Sequence, residues 1–246
     1  MIADDTPVLL TDKKCEHLVA VSDDEFHTGY GTIKLCKLRE KEFGDTISTH
    51  LNHEYIIQRP RAPDFFKHCK RTGVPLMPKD IGIILAYTGL GGGDSVLDAG
   101  TGSGILAIYL GNVAKRVITY EKNEEFVRVA RKNIETAGMK NVEVMHGDII
   151  PEMANLNEKF DVITLDMMDA DQVVPHVRAV LNPGGYLVTY SPFFEQTKKI
   201  RTAIDHGKFS SVRTIECMER EIKFERRGTR PSTRVGHTGF ITIARL

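Results

Sequence analysis

The stretch Val96-Leu-Asp-Ala-Gly-Thr-Gly-Ser-Gly104 sets three glycines two residues apart at the end of an apolar run. Glycines so spaced let a chain leave a strand in a tight turn and approach a ligand closely, and a helix opening behind them offers free N–H groups. Gly100, Thr101, Gly102, Ser103 and Gly104 are therefore the candidate floor of a nucleotide-cofactor site. Gly102-Ser-Gly-Ile-Leu-Ala107 also satisfies the dinucleotide pattern, with Glu121 at the spacing of a ribose acid, so the glycines alone do not choose the cofactor.

The acids narrow the choice. Asp98 stands just before the loop, Glu121 ends the next apolar run, and Asp148 follows the third in Gly147-Asp-Ile149. A dinucleotide needs only the ribose acid, and carboxylates beside its pyrophosphate would repel it. S-adenosylmethionine has no phosphate, carries an amine and a sulfonium, and presents ribose hydroxyls and an adenine amino group, so acids at successive strand ends suit it. Asp98, Glu121, Asp148 and the adjoining Ile149 thus join the loop as candidate cofactor contacts. A fourth acid, Asp166, lies in Leu165-Asp-Met-Met-Asp-Ala-Asp171 at the end of another strand-like run. In an open α/β sheet ligands sit outside the carboxyl ends of the strands, which predicts that Asp166 touches both the cofactor and the methyl acceptor and is the catalytic residue. Asp169 and Asp171 read as helix-terminus acids.

The elements that must hold these residues alternate. Apolar strand-like runs at Ser95–Asp98, Arg116–Tyr120, Asn141–Met145, Phe160–Leu165 and Tyr186–Tyr190 are separated by helical patterns from Ser103, over Asn123–Ala137, over Asp171–Leu181 and over Glu195–His206. That order predicts an α/β fold with a parallel sheet covered by helices on both faces. From Thr6 to Arg59 the texture is instead short and turn-rich, with runs such as Val8–Leu10, His17–Val21 and Thr32–Cys36, which predicts a small β module over residues 1–58 and a catalytic domain over 59–246. Ala62–Arg71 and Pro78–Thr88 read as helices, the second with proline at its first position, where a missing N–H costs nothing.

The 246 residues carry 33 Lys and Arg against 33 Asp and Glu, which excludes a uniformly basic nucleic-acid binder. The balance is local: −5 over residues 1–58, +5 over 59–79, −7 over 80–195 and +7 over 196–246. Arg59, Arg61, Lys67, Lys70, Arg71 and Lys79 form one basic segment, and Arg226, Arg227, Arg230 and Arg234 lie in the other. These are the candidate phosphate contacts. Cys15, Cys36, Cys69 and Cys217 form no Cys-x-x-Cys pair and read as isolated thiols, and His50 and His53 lack the carboxylate or Cys that would complete a metal set. The acidic start of the sequence and the lack of an apolar run of about 20 residues predict a cytoplasmic protein with no membrane span and no metal.

With these residues assembled, the chain resembles the tRNA adenine-N1 methyltransferase family, which modifies the T-loop adenine at position 58, and most of all its archaeal members. The resemblance covers nearly the whole chain. It rests on His27-Thr-Gly-Tyr-Gly, Arg59-Pro-Arg, Pro78-Lys-Asp80, the glycine loop, Tyr120-Glu121, Gly147-Asp148, Leu165-Asp166, Arg230-Pro and Val235-Gly-His-Thr-Gly-Phe240. The glycine loop marks only the methyltransferase class, whereas the Pro-Lys-Asp piece and the His-Thr-Gly-Phe ending are much more specific. The resemblance implies a Rossmann-like class I methyltransferase with a seven-stranded, mostly parallel sheet whose last strand, His237–Ala244, inserts antiparallel. It also implies S-adenosylmethionine as cofactor, tRNA as partner, a homotetramer, and methylation at position 57 as well in some archaeal relatives. Two departures stand out: Met167-Met-Asp-Ala replaces the proline-bearing sequence many members carry after the catalytic Asp, and Phe126 stands where some have Arg. Tyr190, Phe193 and Phe194 read either as the wall against which an extracted adenine would pack or as core or interface packing. Other readings compatible with the class are a methyltransferase for protein or small-molecule acceptors, a non-catalytic tRNA-binding subunit and a dehydrogenase. Against the binding subunit stand the intact glycine loop and the four acids, since non-catalytic paralogues of the family have eroded loops.

Overall fold

A computed structural model describes residues 1–225, 228–232 and 236–246. The N-terminal part is an antiparallel sheet of Pro7–Thr11 (β1), Glu16–Ala20 (β2), Thr46–Ser48 (β5) and Glu54–Gln58 (β6) in the order β2-β1-β6-β5, beside a hairpin of Glu25–Thr28 (β3) and Gly31–Lys34 (β4). Strand β6 shows how the pattern works: Tyr55 and Ile57 point into a core with Val8, Leu10 and Leu38, while Glu54, Ile56 and Gln58 face out. The strand expected over Thr32–Cys36 stops at Lys34, and Leu35–Glu40 is a 3₁₀ turn. Three-residue spacing puts Leu35 and Leu38 on one side of such a turn, and both are buried.

Two helices, Ala62–His68 (α1) and Pro78–Thr88 (α2), lead into the main sheet. Its parallel strands are Ser95–Ala99 (β7), Arg116–Glu121 (β8), Val142–His146 (β9), Phe160–Leu165 (β10) and Leu181–Ser191 (β11). Ser211–Glu216 (β12) and Phe240–Arg245 (β15) complete a seven-stranded sheet in the order β12-β15-β11-β10-β7-β8-β9, with β15 antiparallel to both neighbours. Ile222–Glu225 (β13) and Gly228–Pro231 (β14) form a separate hairpin. Helices Ile105–Gly111 (α3) and Glu124–Thr136 (α4) cover one face. Ala170–Val180 (α6) and Phe194–His206 (α7) cover the other, with the short Ile149–Glu152 (α5) at the edge. Separate apolar clusters, one around Ile108, Val117 and Ile134 and one around Ile163, Val174 and Ile200, fill the two faces. Val96, Leu97, Asp98 and Ala99 are all buried, as a strand covered on both sides requires.

Strand β7 pairs with β8 on one side and β10 on the other, so successive crossovers leave it in opposite directions and open a cleft at the carboxyl ends of β7 and β10. The last strand begins at Phe240 rather than His237, because His237 and Thr238 turn their side chains into polar contacts described below. Helix α3 begins at Ile105 rather than Ser103, since Gly104 adopts a left-handed φ of 80°. Among the described residues no helix is long and apolar enough to cross a membrane. Arg226, Arg227, Arg234 and Val235 lie outside the described residues.

Candidate active site

All three loop glycines adopt a positive φ, and at Gly100 a close approach demands glycine as well. Gly100, at φ 91°, passes so close to the next strand end that an added Cβ would lie 2.0 Å from the carbonyl oxygen of Asp166. The loop is then tied to the end of β8: the N–H of Gly100 donates to the Tyr120 carbonyl (3.0 Å) and that of Gly102 to Glu121 Oε2 (2.9 Å). Glu121 Oε1 accepts from the Asn123 amide (2.9 Å), so each oxygen keeps one lone pair beyond these bonds. A loop amide already held by a carboxylate is a poor seat for a phosphate, and this arrangement favours a cofactor without one.

The predicted residues divide by position. Gly100, Gly102, Glu121, Asp148, Ile149 and Asp166 line a cavity of ≈ 460 Å³ over the ends of β7, β8 and β9. Thr101, Ser103 and Leu106 line a narrower recess of ≈ 90 Å³ that also includes Gly100, Gly102 and Asp166. Gly104 sits at the mouth of α3, where an added Cβ would meet Ala130 at 3.4 Å. Asp98 is beneath the floor: it is 1% exposed, and its carboxylate accepts from the hydroxyls of Thr119 (2.6 Å) and Thr164. Burial raises its pKa to about 6 against the pull of those two hydroxyls. The direct cofactor contact expected of Asp98 is thus replaced by an anchoring role under the loop. Asp148 is exposed and caps α5 by accepting from the Ile150 amide (3.0 Å).

Asp166 is where two cavities meet. It belongs to the cofactor-side cavity and, with Met167, Met168 and Asp169, to a second cavity of ≈ 580 Å³ closed by Tyr190, Pro192 and Phe193. Its amide donates to the Ala99 carbonyl (2.9 Å), which locks the end of β10 to that of β7. Burial, then the nearby Asp98, raises its carboxyl to about 7. A proton so weakly held near neutrality leaves the group able to carry charge when a positive centre arrives.

Two lining residues, Val74 and Gln196, gave no signal in the sequence. Val74, in the segment between α1 and α2, overhangs both the recess and the cofactor-side cavity. Phe126, the departure from Arg, is an apolar wall of the same two spaces. Gln196 on α7 donates from Nε2 to the carbonyls of Met167 (2.9 Å) and Met168 (3.2 Å) and so holds the segment behind Asp166. Tyr190 and Phe193 do line the second cavity, whereas Phe194 stacks on Phe240 with ring centroids 4.3 Å apart. Asp169 makes no side-chain cap on α6 and lines both cavities instead. Lys79, expected among the phosphate contacts, is 10% exposed and paired with the fully buried Asp80. His50 Nδ1 accepts from the Thr32 amide and His53 Nε2 meets Asp12, so both are committed within the β module.

Comparison with known proteins agrees with this architecture. A family model described as "tRNA methyltransferase complex GCD14 subunit" matches residues 65–230. The tRNA (adenine(57)-N(1)/adenine(58)-N(1))-methyltransferase TrmI of Methanocaldococcus jannaschii is 35% identical over 97% of this chain and 94% of its own. The tRNA (adenine(58)-N(1))-methyltransferase TrmI of Thermus thermophilus is 30% identical over 97% and 96%. Among solved structures, a SAM-dependent O-methyltransferase of Thermotoga maritima superposes with a TM-score of 0.81 at 28% identity, covering 99% of this chain and 94% of that one. The tRNA (m1A58) methyltransferase TrmI of Aquifex aeolicus shares the fold, with a TM-score of 0.75 at 23% identity over 98% and 97%. The glycine loop, the strand order and these matches together make the chain a member of the GCD14 tRNA methyltransferase family.

Proposed function

We propose that the protein transfers a methyl group from S-adenosylmethionine to N1 of adenine 58 in the T loop of tRNA, with Asp166 as the catalytic residue. The observation that carries this reading is the place of Asp166 at the junction of two cavities, one floored by the glycine loop and one walled by Tyr190 and Phe193. Bound S-adenosylmethionine supplies an electrophilic methyl group on a sulfonium centre. Glu121 offers its remaining lone pairs to ribose hydroxyls, Asp148 offers its carboxylate to an adenine amino group, and Phe126 gives that ring an apolar face.

N1 of adenine carries no proton at neutral pH, so the reaction needs alignment more than a base, and holding the two reactants in line makes the step effectively unimolecular. Positive charge develops on the acceptor ring during transfer. The Asp166 carboxylate, accepting from the exocyclic amine, holds the ring and offsets that charge. An acceptor hydroxyl, as in the O-methyltransferase with the similar fold, would require a group to take its proton, a demand adenine N1 does not make. Residues 1–58 are read as a module separate from the catalytic domain over 59–246, and the working form as a cytoplasmic homotetramer. Incubation with labelled S-adenosylmethionine and bulk tRNA, followed by nucleoside mapping, tests the assignment. Label in N1-methyladenine at position 58 supports it, added label at 57 extends it, and label confined to protein or small molecules refutes it.

A further inference from the structure

The two most specific sequence pieces, Pro78-Lys-Asp80 and His237-Thr-Gly-Phe240, touch no part of the cofactor-side cavity, yet they meet each other across about 160 residues of chain. Lys79 Nζ donates to Asp80 Oδ1 (2.6 Å), to the Cys217 carbonyl (2.7 Å) and to Thr238 Oγ1 (2.7 Å). All three ammonium hydrogens are thereby used. Thr238 in turn donates to Asp80 Oδ2 (3.0 Å). Lys79 is 10% exposed and Asp80 fully buried, so this pair is hidden from phosphate and from water alike.

What the network faces is Tyr190. The phenol lies near Thr238 and in the fields of Asp80 and Asp166, and burial raises its pKa. Gly239 presses on the same ring: an added Cβ would lie 2.4 Å from Tyr190 Cζ and 2.6 Å from its hydroxyl oxygen. Two residues before Gly239, His237 reaches Glu216 (2.6 Å) and the Pro192 carbonyl (3.0 Å), and Pro192 lines the cavity beside Tyr190. His237 thus bears on Pro192, and Thr238 and Gly239 on Tyr190, in the wall of the cavity that Asp166 also lines.

We propose that Lys79, Asp80 and Thr238 form a positioning clasp that fixes the Tyr190 ring as the acceptor wall and so governs the transfer step, not the binding of either reactant. The inference rests on the proposed methyl transfer only for its kinetic consequence. The clasp closes α2 onto the segment before β15, and the ring it holds lines the same cavity as the catalytic carboxylate. Misplacing a group by about 1 Å in such a site costs about a hundredfold in rate.

Lys79→Met would strand a buried carboxylate, so the informative series is Thr238→Val, which removes the hydroxyl at nearly constant volume, and Thr238→Ser, which keeps it. In ring-labelled tyrosine NMR spectra, with the Tyr190 signals assigned by their loss in Tyr190→Phe, Thr238→Val should move Tyr190 while the other six tyrosines stay, and Thr238→Ser should restore it. Unmoved Tyr190 signals would overturn the clasp. For methylation of tRNA, Thr238→Val should lower kcat about tenfold to a hundredfold, leave KM for tRNA and S-adenosylmethionine affinity unchanged, and have no further effect in the Tyr190→Phe background. An equal loss in both backgrounds would also overturn it. A wild-type protein that makes no N1-methyladenine would instead remove the proposed function, and the NMR comparison would still decide whether the clasp holds the ring.

Discussion

Replacing Asp166 with Asn should make the folded protein more stable while abolishing its activity, and the gain should depend on pH in a defined way. Burial raises the Asp166 carboxyl from 3.8 to about 7 in the folded chain. Between those values the unfolded chain has released a proton that the folded chain retains, so folding stability falls as pH rises through this window and levels off above about 7. At about 1.4 kcal/mol per pH unit the full effect is about 4 kcal/mol, and the partly open cavity around the group halves it to about 2 kcal/mol. Asn carries no such penalty. The stability of Asp166→Asn relative to wild type should therefore be near zero at pH 4, grow up to pH 7, and stay constant at pH 8. In thermal unfolding this is a gain in Tm of about 4 to 8 °C at pH 8. Chemical denaturation across pH 4 to 8, with kcat measured alongside, checks both parts. A difference that does not vary with pH, or that grows toward acid, refutes the placement of a poorly solvated carboxyl at the cavity junction.

In the proposed transfer the same carboxyl should also set the rate. If charge on Asp166 is required, kcat/KM should rise with pH to a plateau with an apparent pKa of about 7, and a profile flat from pH 5 to 9 would remove the assigned role. Gly100→Ala puts a methyl 2.0 Å from the Asp166 carbonyl at a left-handed φ, so the loop must move; S-adenosylmethionine binding by calorimetry should be lost with about 2 kcal/mol or more of stability. Glu121→Ala frees the Gly102 and Asn123 amides and removes the ribose partner, and it should weaken cofactor affinity at least about tenfold while leaving tRNA binding unchanged in a filter assay. Affinity for tRNA should fall steeply between about 50 and 200 mM salt, as expected when phosphate contacts release counterions.

How much of this was legible in the sequence depended on whether a residue's role was local. Gly100, Gly102, Glu121 and Asp166 line one cleft, and the sequence could place them together because a strand end, its turn and the next helix follow one another and the alternating pattern fixes where strand ends lie. Asp98 shows the limit of that reasoning. Its position at a strand end suggests a ligand contact, but its neighbours Thr119 and Thr164 come from the two flanking strands, and only the lateral pairing reveals that they take up the carboxylate. Val74 and Gln196 were invisible for the same reason: Val74 in the segment between α1 and α2 and Gln196 on α7 come to the site only through the folded arrangement, with no pattern to mark them. The strand expected over Thr32–Cys36 ran past its end because Ile33 and Leu35, two apart, continue the strand pattern, and only the folded chain shows that Leu35 instead pairs with Leu38 in a 3₁₀ turn.

The reassignment of Lys79 changes the meaning of the charge map. Counted along the chain, residues 59–79 form a basic segment of +5 facing an acidic cofactor domain of −7. In space Lys79 is withdrawn from that count by Asp80, and Lys67 is shared with Glu16 at 2.6 Å, where it helps join α1 to the β module. Arg59, Arg61, Lys70 and Arg71 remain exposed. A polyanion can pair only with charge that is not already committed, because breaking a buried ion pair to free its cation leaves the carboxylate unsolvated. The proposed phosphate-facing surface is therefore smaller than the sequence count suggests, and in the proposed clasp Lys79 acts by holding Tyr190 in the cavity that Asp166 lines. Neutralising Arg59, Arg61, Lys70 and Arg71 together should weaken tRNA binding and flatten its salt dependence with kcat unchanged, whereas Thr238→Val should do the reverse.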